Sequence, residues 1–512
     1  MPRCYPTAQA VDETQGSPSP VPPRPAPRHL RRLLSDSAIY GLGGVASQAL
    51  GILLVPIYAR VLGASNYGIL AVLNTTLALT TMVITLALPQ AFFRSYLSEA
   101  KSPGERRRVL AGSLGLRLAI GVVFAAIWAL IAAPLTGVVV GSAERLPLML
   151  LVGPIVFCDT LNLVPLSFLR AERRPAPYAA LSFFRSVFGT VLILVLVVFA
   201  HQGVFGAMLG STLSALVATA IGVVVLIRDR APAPRFDSAL WRHMIVFSLP
   251  LVPAAIAGWS LNLSDRYIIG AVDGFRAVGI YSVGYTIGLV MNALVIQPFG
   301  LAWGAAYWEF AREEGATRII ARVMTLFVIV ASVPALGLSL FGTDVLRRLF
   351  SPEFAEGRFV IPFSAFGYLG YGLYSIAATG LNLRSQTRWL PFTVAASALV
   401  NLLLNLVFIP RLGFMAAAYS TLLSYALLAV LTGAASQRYY PVPWDYPRVL
   451  GALGLGLGLA GVGLLGPDAF LWRLACFVAF PVALLVTGIM TWEDAGRVLG
   501  WLSRTGRRFK RS

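Results

Sequence analysis

The sequence predicts an all-α polytopic membrane protein. Of its 512 residues, 57% are hydrophobic and only 12% are charged, and the mean hydropathy is +0.76. A soluble domain needs more charge than this on its surface, so the composition argues against one. Long apolar runs also recur from residue 37 to residue 492, so we count membrane spans, not globular domains.

A bilayer core about 30 Å thick needs about 20 helical residues, and by that rule the chain has about fourteen spans. The runs assigned to spans are 37–60, 67–93, 109–133, 146–169, 178–200, 204–227, 244–269, 277–303, 318–341, 359–383, 389–409, 413–435, 448–466 and 470–492. Residues 1–35 are rich in proline, serine and arginine, which predicts a disordered tail. They show no apolar stretch before a small-residue cleavage site, so no signal peptide is expected.

The basic residues set the expected orientation. The net charge is +19, and almost all of it comes from arginines that cluster in alternate loops. Examples are Arg106 to Arg108 and Arg170 to Arg174. Because such loops stay on the cytoplasmic side, we expect both termini in the cytoplasm and a multi-pass protein of the bacterial inner membrane. The arginines form no continuous face, so nucleic-acid binding is not expected.

The sequence gives no sign of a cofactor or of catalysis. Cys4, Cys158, Cys476 and the three histidines are too scattered for a disulfide framework or a metal site. The chain has no Gly-x-x-x-x-Gly-Lys-[Ser/Thr] loop, so we expect it to hydrolyse no nucleotide. We therefore expect no cofactor, no metal and no enzymatic activity.

Weak internal similarity predicts a duplicated bundle. Arg60-Val-Leu-Gly63 followed by Tyr67-Gly68 is similar to Arg266-Tyr-Ile-Ile-Gly270 followed by Val278-Gly279. Transporters with such repeats place their substrate at the interface between them. We predict a cytoplasmic tail (1–35), a first six-helix lobe (36–230), a second six-helix lobe (244–435), an appended helix pair (448–492) and a basic tail (493–512).

Several motifs resemble a known family. Tyr40-Gly-Leu-Gly-Gly44, Pro56-Ile-Tyr-Ala-Arg60, Ser264-Asp-Arg266 and Phe350-Ser-Pro-Glu-Phe-Ala355 are similar, in their order and spacing, to stretches of Wzx-like polysaccharide flippases. These form the polysaccharide transport family of the multidrug/oligosaccharidyl-lipid/polysaccharide exporter superfamily. The resemblance covers roughly residues 36–435.

The resemblance implies two lobes around a cavity that opens alternately to each side. It implies an undecaprenyl-diphosphate-linked oligosaccharide as cargo, flipped from the cytoplasmic to the periplasmic leaflet for extracellular polysaccharide or O-antigen synthesis. The expected partners are this lipid-linked oligosaccharide, membrane lipids and other polysaccharide-assembly proteins. In related lipid-carrier flippases an extra helix pair borders a groove for the lipid tail, which we expect for residues 448–492.

Arginines inside spans are candidates for binding the diphosphate, because a charge in a bilayer needs a cavity or a partner. Arg117 and Arg185 lie at similar depths in the third and fifth spans, and the planar guanidinium suits phosphate oxygens. The alternative is that one of them pairs with Asp159 and only holds the first lobe together.

Arg60 and Arg266 occupy matching repeat positions near the outer ends of the first and seventh spans. They would guide the diphosphate outward, or they would serve as interface anchors. Asp265 and Asp159 are the candidates for coupling to a proton or Na⁺, with structural pairing as the alternative. Asp265 and Arg266 point to different faces of a helix, so the two need not pair with each other.

Three other functions stay open. A multidrug exporter of the same superfamily would favour an acidic and aromatic cavity and about twelve spans. A flippase for the peptidoglycan precursor would share the undecaprenyl diphosphate. A membrane polysaccharide polymerase or ligase would need a long outer loop, and the longest outer candidate, 342–358, is short.

Overall fold

Helices account for nearly all of the chain that the computed structural model describes, namely residues 28–229, 231–494 and 496, with side chains from residue 51 onward except residue 53. A bilayer offers no hydrogen bonds to the backbone, so apolar segments satisfy their own N–H and C=O groups as helices. In chain order these are α1 (Arg28–Thr85), α2 (Leu88–Phe93), α3 (Pro103–Val140), α4 (Leu146–Ala171), α5 (Pro175–Leu194), α6 (Gly203–Arg228), α7 (Ser238–Ser248), α8 (Val252–Leu263) and α9 (Asp265–Val272). They continue with α10 (Gly274–Met291), α11 (Gln297–Phe310), α12 (Ala316–Leu349), α13 (Val360–Ala377), α14 (Thr379–Leu383), α15 (Trp389–Leu412), α16 (Met415–Gln437), α17 (Tyr446–Leu465) and α18 (Phe470–Val486).

The prediction of an all-α polytopic protein is confirmed. Twelve segments of the described residues are long and apolar enough to cross a membrane, and the shorter helix α18 is apolar as well. The first predicted span, 37–60, lies on the part of α1 that precedes a break at Gly63, where φ is 72°. Helix α1 begins at Arg28, within the segment predicted as a disordered tail, because Leu30 to Leu34 are good helix formers. Residues 1–27 and 497–512 of the two predicted tails lie outside the described residues.

The helices pack in two groups, as the two-lobe prediction expects. In the first group α3 packs on α4, α6 on α4 and α5, and α1 on α5. In the second group α13 and α15 both pack on α16, and α10 and α12 pack on α13. Helix α17 joins the second group through α12 and α18. The residue boundaries of the lobes stay a prediction.

The two groups meet most closely where α1 crosses α10. A Cβ on Gly68 would lie 1.7 Å from the backbone oxygen of Phe275, and a Cβ on Gly279 would lie 2.0 Å from that of Ala64. Only glycine permits this approach of two backbones. The contact lies away from the arginine-rich end of the bundle, the end that carries Arg106 to Arg108 and Arg170 to Arg174. The opposite end is therefore closed in this conformation.

Buried ion pairs attach the last two apolar helices to α12. Near the opposite end, Arg473 contacts Asp344 and Asp468, each at 2.7 Å. At the arginine-rich end, Asp494 accepts hydrogen bonds from Arg448 at 2.5 Å and from Arg322 at 3.1 Å. Burial alone would raise the pKa of Asp494, but these bonds bring it well below its ordinary value. Asp494 is therefore ionised at neutral pH. Ion pairs thus attach the appended helices α17 and α18 to α12 at both ends of the bundle.

Candidate functional site

Arg117 is a buried cation in the first group of helices. Its side chain on α3 is only 4% exposed, and its Nη1 atom has no hydrogen-bond partner. Within the described part of the chain it forms no ion pair. The small cavity around it is lined by Leu88, Pro89 and Phe92 of α2, Ser113 and Leu116 of α3, Leu163, Val164 and Ser167 of α4, and Met244 of α7. Arg117 is thus a buried cation whose charge no described residue offsets, as the prediction of a binding site requires.

Helix α7 covers this cavity. Met244 lines it, and the sulfur atom of Met244 accepts a hydrogen bond from Ser113 at 3.6 Å. Helix α7 has 11 residues, follows the irregular segment 231–237, and continues through a short turn into α8 as one apolar span, Ser238–Leu263. In this conformation α7 forms one wall of the cavity around Arg117.

Two glycines of α3 allow α7 and the segment 231–237, together called the cover, to pack closely on α3. A Cβ on Gly115 would lie 2.4 Å from the backbone oxygen of Arg235, and a Cβ on Gly112 would lie 2.5 Å from the side chain of Leu240. The backbone N–H of Arg235 donates to the carbonyl of Ala111 at 3.1 Å. The indole of Trp241 donates to the carbonyl of Gly112 at 2.8 Å. The segment and α7 therefore dock as one piece on α3.

Ion pairs at the arginine-rich end hold the cover in place. Arg108 donates to Asp237 at 2.6 Å, and His243 contacts Glu99 at 3.0 Å. The hydrogen bond from Arg108 lowers the pKa of Asp237 below its ordinary value. Asp237 thus keeps its charge at neutral pH, and this contact is lost only in strong acid.

Arg185 forms an ion pair with Asp159, which is one of the two arrangements left open by the sequence. Two nitrogens of Arg185 donate to the carboxylate at 3.1–3.3 Å, and Nη1 donates to the hydroxyl of Ser214. Asp159 lies one helical turn from Leu163, which lines the cavity of Arg117. The free cation and the paired cation therefore flank α4 at neighbouring depths.

Asp265 and Arg266 form a buried pair in the second group, contrary to the expectation that they need not pair. The guanidinium donates to the Asp265 carboxylate at 3.0 Å and to the carbonyl of Asn262 at 3.1 Å. Both residues lie on α9, and the long side chain of Arg266 reaches back both to the neighbouring carboxylate and to the preceding turn. The hydroxyl of Tyr281 also donates to Asp265.

Tyrosines from three helices enclose this pair. The guanidinium of Arg266 lies 5.7 Å and 4.8 Å from the ring centroids of Tyr281 and Tyr285. Tyr285 exchanges a hydrogen bond of 2.9 Å with Tyr368, whose ring packs on Tyr425. Since the charges of Asp265 and Arg266 offset each other, this cluster has no spare cation for a phosphate.

Arg60 lies far from Arg117, at the opposite end of the bundle. It is exposed and donates to the carbonyl of Arg348 at 2.5 Å, at the last turn of α12. A cation there interacts favourably with the helix dipole. Arg60 thus links α1 of the first group to α12 of the second.

An apolar groove of about 430 Å³ runs between α13, α16 and α17. Among its lining residues are Phe366, Leu373, Leu422, Val449 and Leu453. The groove lies on the side of the second group where α17 is appended. It has the shape and composition to hold a hydrocarbon chain.

Comparison with known proteins gives the family. The model of the family described as "Polysaccharide biosynthesis protein" matches residues 33–303, more than half of the chain. This protein belongs to the polysaccharide biosynthesis protein family. A relative in Haloferax volcanii, named "Probable low-salt glycan biosynthesis flippase Agl15", is 24% identical over 435 residues, covering 83% of this chain and 87% of the relative.

Solved structures show the fold of this family member. A structure described as "Lipid II flippase MurJ, inward closed conformation" superposes with a TM-score of 0.70 at 14% identity, over 88% of this chain and 99% of that one. An inward-facing multidrug resistance MATE transporter of the MOP superfamily superposes with a TM-score of 0.62 at 13% identity, over 76% and 94%. These likenesses show that the chain shares the fold of such transporters.

Sequence reasoning missed two parts of the site in this family member. The predicted seventh span begins at residue 244, whereas helical structure begins at Ser238. Arg242 and His243 interrupt the apolar run there and conceal the start of the span, which runs from Ser238 to Leu263. The tyrosine cluster also escaped notice, because its members are far apart in sequence and carry no motif.

Proposed function

We propose that this protein carries a lipid diphosphate-linked oligosaccharide from the cytoplasmic to the outer leaflet of a bacterial inner membrane. The observation that carries the proposal is Arg117, a buried arginine without a counter-ion in the described residues. Burying an unpaired charge is strongly unfavourable. Binding of an anionic ligand in the cavity beneath α7 would offset this cost.

The cargo reaches Arg117 from the arginine-rich end, which faces the cytoplasm in this proposal. Helix α7 and the segment 231–237 leave α3, and the guanidinium then binds the phosphate oxygens with its planar fork. The nearby pair of Arg185 and Asp159 contributes a second cation once Asp159 is protonated or released. The opposite end, closed at Gly68 and Gly279, opens when the two groups of helices rock.

The hydrocarbon tail does not need to enter the polar path. The groove between α13, α16 and α17 is apolar along its length and would hold a prenyl chain while the diphosphate crosses between the groups. The relative in Haloferax volcanii is named a glycan biosynthesis flippase, which supports a lipid-linked glycan as the cargo. The protein thus acts as a carrier and changes no covalent bond of its cargo.

An ion gradient would drive such a carrier. Asp159 and Asp265 are acids of the described spans that pair with buried or half-buried arginines, and a third such acid, Asp344, attaches α18 to α12. Protonation of either one releases its arginine partner, which couples proton entry to anion binding. Asp159 is the better placed of the two, because it lies one turn from the cavity of Arg117.

Transport by sealed proteoliposomes tests the function against its rival within the superfamily. The probes are undecaprenyl diphosphate linked to a short oligosaccharide, lipid II, and the cationic dye ethidium. We expect the glycolipid to change leaflets well above the protein-free rate, with no ethidium uptake under a proton gradient. Uptake of ethidium without movement of either undecaprenyl lipid would identify a drug exporter and contradict the proposal. Movement of lipid II alone would assign the peptidoglycan precursor as the cargo.

A further inference from the structure

An aromatic shelf lies at the arginine-rich end of the first group. Its rings are Phe92, Phe93 and Tyr96, which follow one another at the end of α2. The centroids of Phe92 and Tyr96 are 5.1 Å apart, and those of Phe92 and Phe93 are 5.9 Å apart. Phe168 of α4 packs edge-on against Tyr96. The shelf is thus fixed by contacts on both sides.

Two exposed arginines lie over this shelf. The guanidinium of Arg106 is 5.8 Å from the ring centroid of Tyr96, and that of Arg170 is 5.5 Å from the ring centroid of Phe93. Such cation–π contacts hold a guanidinium in place without removing its charge. Glu172, a carboxylate beside the shelf, accepts a hydrogen bond of 2.7 Å from Tyr96.

Three neighbouring arginines of the same end are neutralised. Arg94 pairs with Glu99 at 2.9 Å, Arg108 with Asp237 at 2.6 Å, and Arg174 with Asp229 at 2.5 Å. Arg106 and Arg170 form no ion pair with any residue whose side chain the structure describes. They are therefore held in position while their hydrogen-bond donors stay free.

The shelf connects this surface to the interior. Phe92 lines the cavity of Arg117, while its ring neighbours Phe93 and Tyr96 carry the two arginines. Phe92 is thus shared by the shelf and by the wall of the cavity.

We propose that Arg106 and Arg170 form a capture site for the diphosphate of a prenyl lipid in the adjoining leaflet, upstream of Arg117. The inference rests on the proposed function and extends it to a second binding site. Arginine donors bind phosphate oxygens in pairs, and a half-exposed position favours fast exchange over tight retention. Capture would raise the association rate, and Arg117 would then take over the phosphate.

Binding of undecaprenyl diphosphate to the full chain in nanodiscs of neutral lipid tests this site. We compare the double variant Arg106→Gln with Arg170→Gln against Arg107→Gln with Arg173→Gln, which removes equal charge from adjacent exposed positions of the same loops. We expect the first pair to slow association by about tenfold, and the second pair by less than about twofold. Phe93→Leu, which removes one ring and keeps the charge, is expected to give an intermediate loss.

Equal slowing by both double variants would overturn the proposal, since it would reduce the effect to general surface charge. Unchanged association in both would overturn it as well. Nanodiscs that contain phosphatidylglycerol form the second arm. If that lipid alone blocks association at the shelf, the site binds ordinary anionic headgroups and the proposal is wrong.

The outcome is separable from that of the proposed function. The nanodisc measurement requires binding but no translocation. The capture site can therefore be tested even if the protein moves no glycolipid. Conversely, at saturating glycolipid the Arg106 and Arg170 variants should translocate at the wild-type rate. Loss of the saturated rate would place the two arginines in the translocation step and contradict a role in capture.

Discussion

Replacing Arg117 with glutamine will weaken the binding of undecaprenyl diphosphate by about 10- to 100-fold and will raise the melting temperature of the protein. A hydrogen bond to a charged group contributes about 1.5–3 kcal/mol, and each 1.4 kcal/mol is about tenfold in affinity. The melting temperature rises because glutamine removes a buried charge that has no partner in the described residues. Affinity in nanodiscs and thermal unfolding in detergent measure the two effects.

Opposite signs of these two effects distinguish a binding role from a structural one. If Arg117 held the helices together, its loss would lower the melting temperature. Arg185→Gln is the matched comparison, since it leaves Asp159 without its ion pair and should lower the melting temperature. Arg117→Lys keeps the charge without the planar fork and should retain part of the affinity. A lower melting temperature for Arg117→Gln, with unchanged affinity, would remove Arg117 from the binding site.

Locking the segment 231–237, which leads into α7, on α3 with a disulfide will stop transport. Cysteines at Ala111 and Arg235 are suitable, because the backbone N–H of Arg235 and the carbonyl of Ala111 are hydrogen-bonded at 3.1 Å. The native Cys4, Cys158 and Cys476 are first replaced by alanine. Oxidation should reduce glycolipid translocation to the protein-free rate, since Arg117 then stays covered, and a reductant should restore it.

The same chain without the two new cysteines is the control for oxidation. Its transport should be equal under oxidant and reductant. Full transport by the oxidised double-cysteine protein would show that the cargo passes without displacing α7. The path from the arginine-rich end to Arg117 would then be wrong.

The helical membrane class of the chain follows from the sequence, but the pairing of its charges does not. Hydrophobicity over about 20 residues dictates a span wherever it occurs, so the membrane fold is readable directly. Whether Arg117 or Arg185 meets Asp159 depends on the rotation of three helices about their axes. Small bends change that rotation, and α4 contains two internal prolines. Which of the two arginines pairs with Asp159 is therefore visible only in the structure.

The reach of long side chains defeats sequence reasoning in a second way. Asp265 and Arg266 are expected on different faces of a helix, yet they pair because the long side chain of Arg266 reaches back to the neighbouring carboxylate. The predicted seventh span begins at residue 244 and so misses the first turns of α7, which begins at Ser238. Both features bear on function, since the pair of Asp265 and Arg266 fixes the charges of the second group and α7 covers Arg117.

A translocation assay in sealed proteoliposomes decides whether Arg117 carries a lipid diphosphate across the bilayer. The probe is undecaprenyl diphosphate bearing a short labelled oligosaccharide, and an impermeant glycosidase reports which leaflet holds it. Wild-type protein and the exposed control Arg107→Gln should move the probe at equal rates, and Arg117→Gln should not exceed protein-free vesicles. Equal translocation by Arg117→Gln and wild type would contradict the role of this arginine. Absence of translocation by the wild type would contradict the flippase itself.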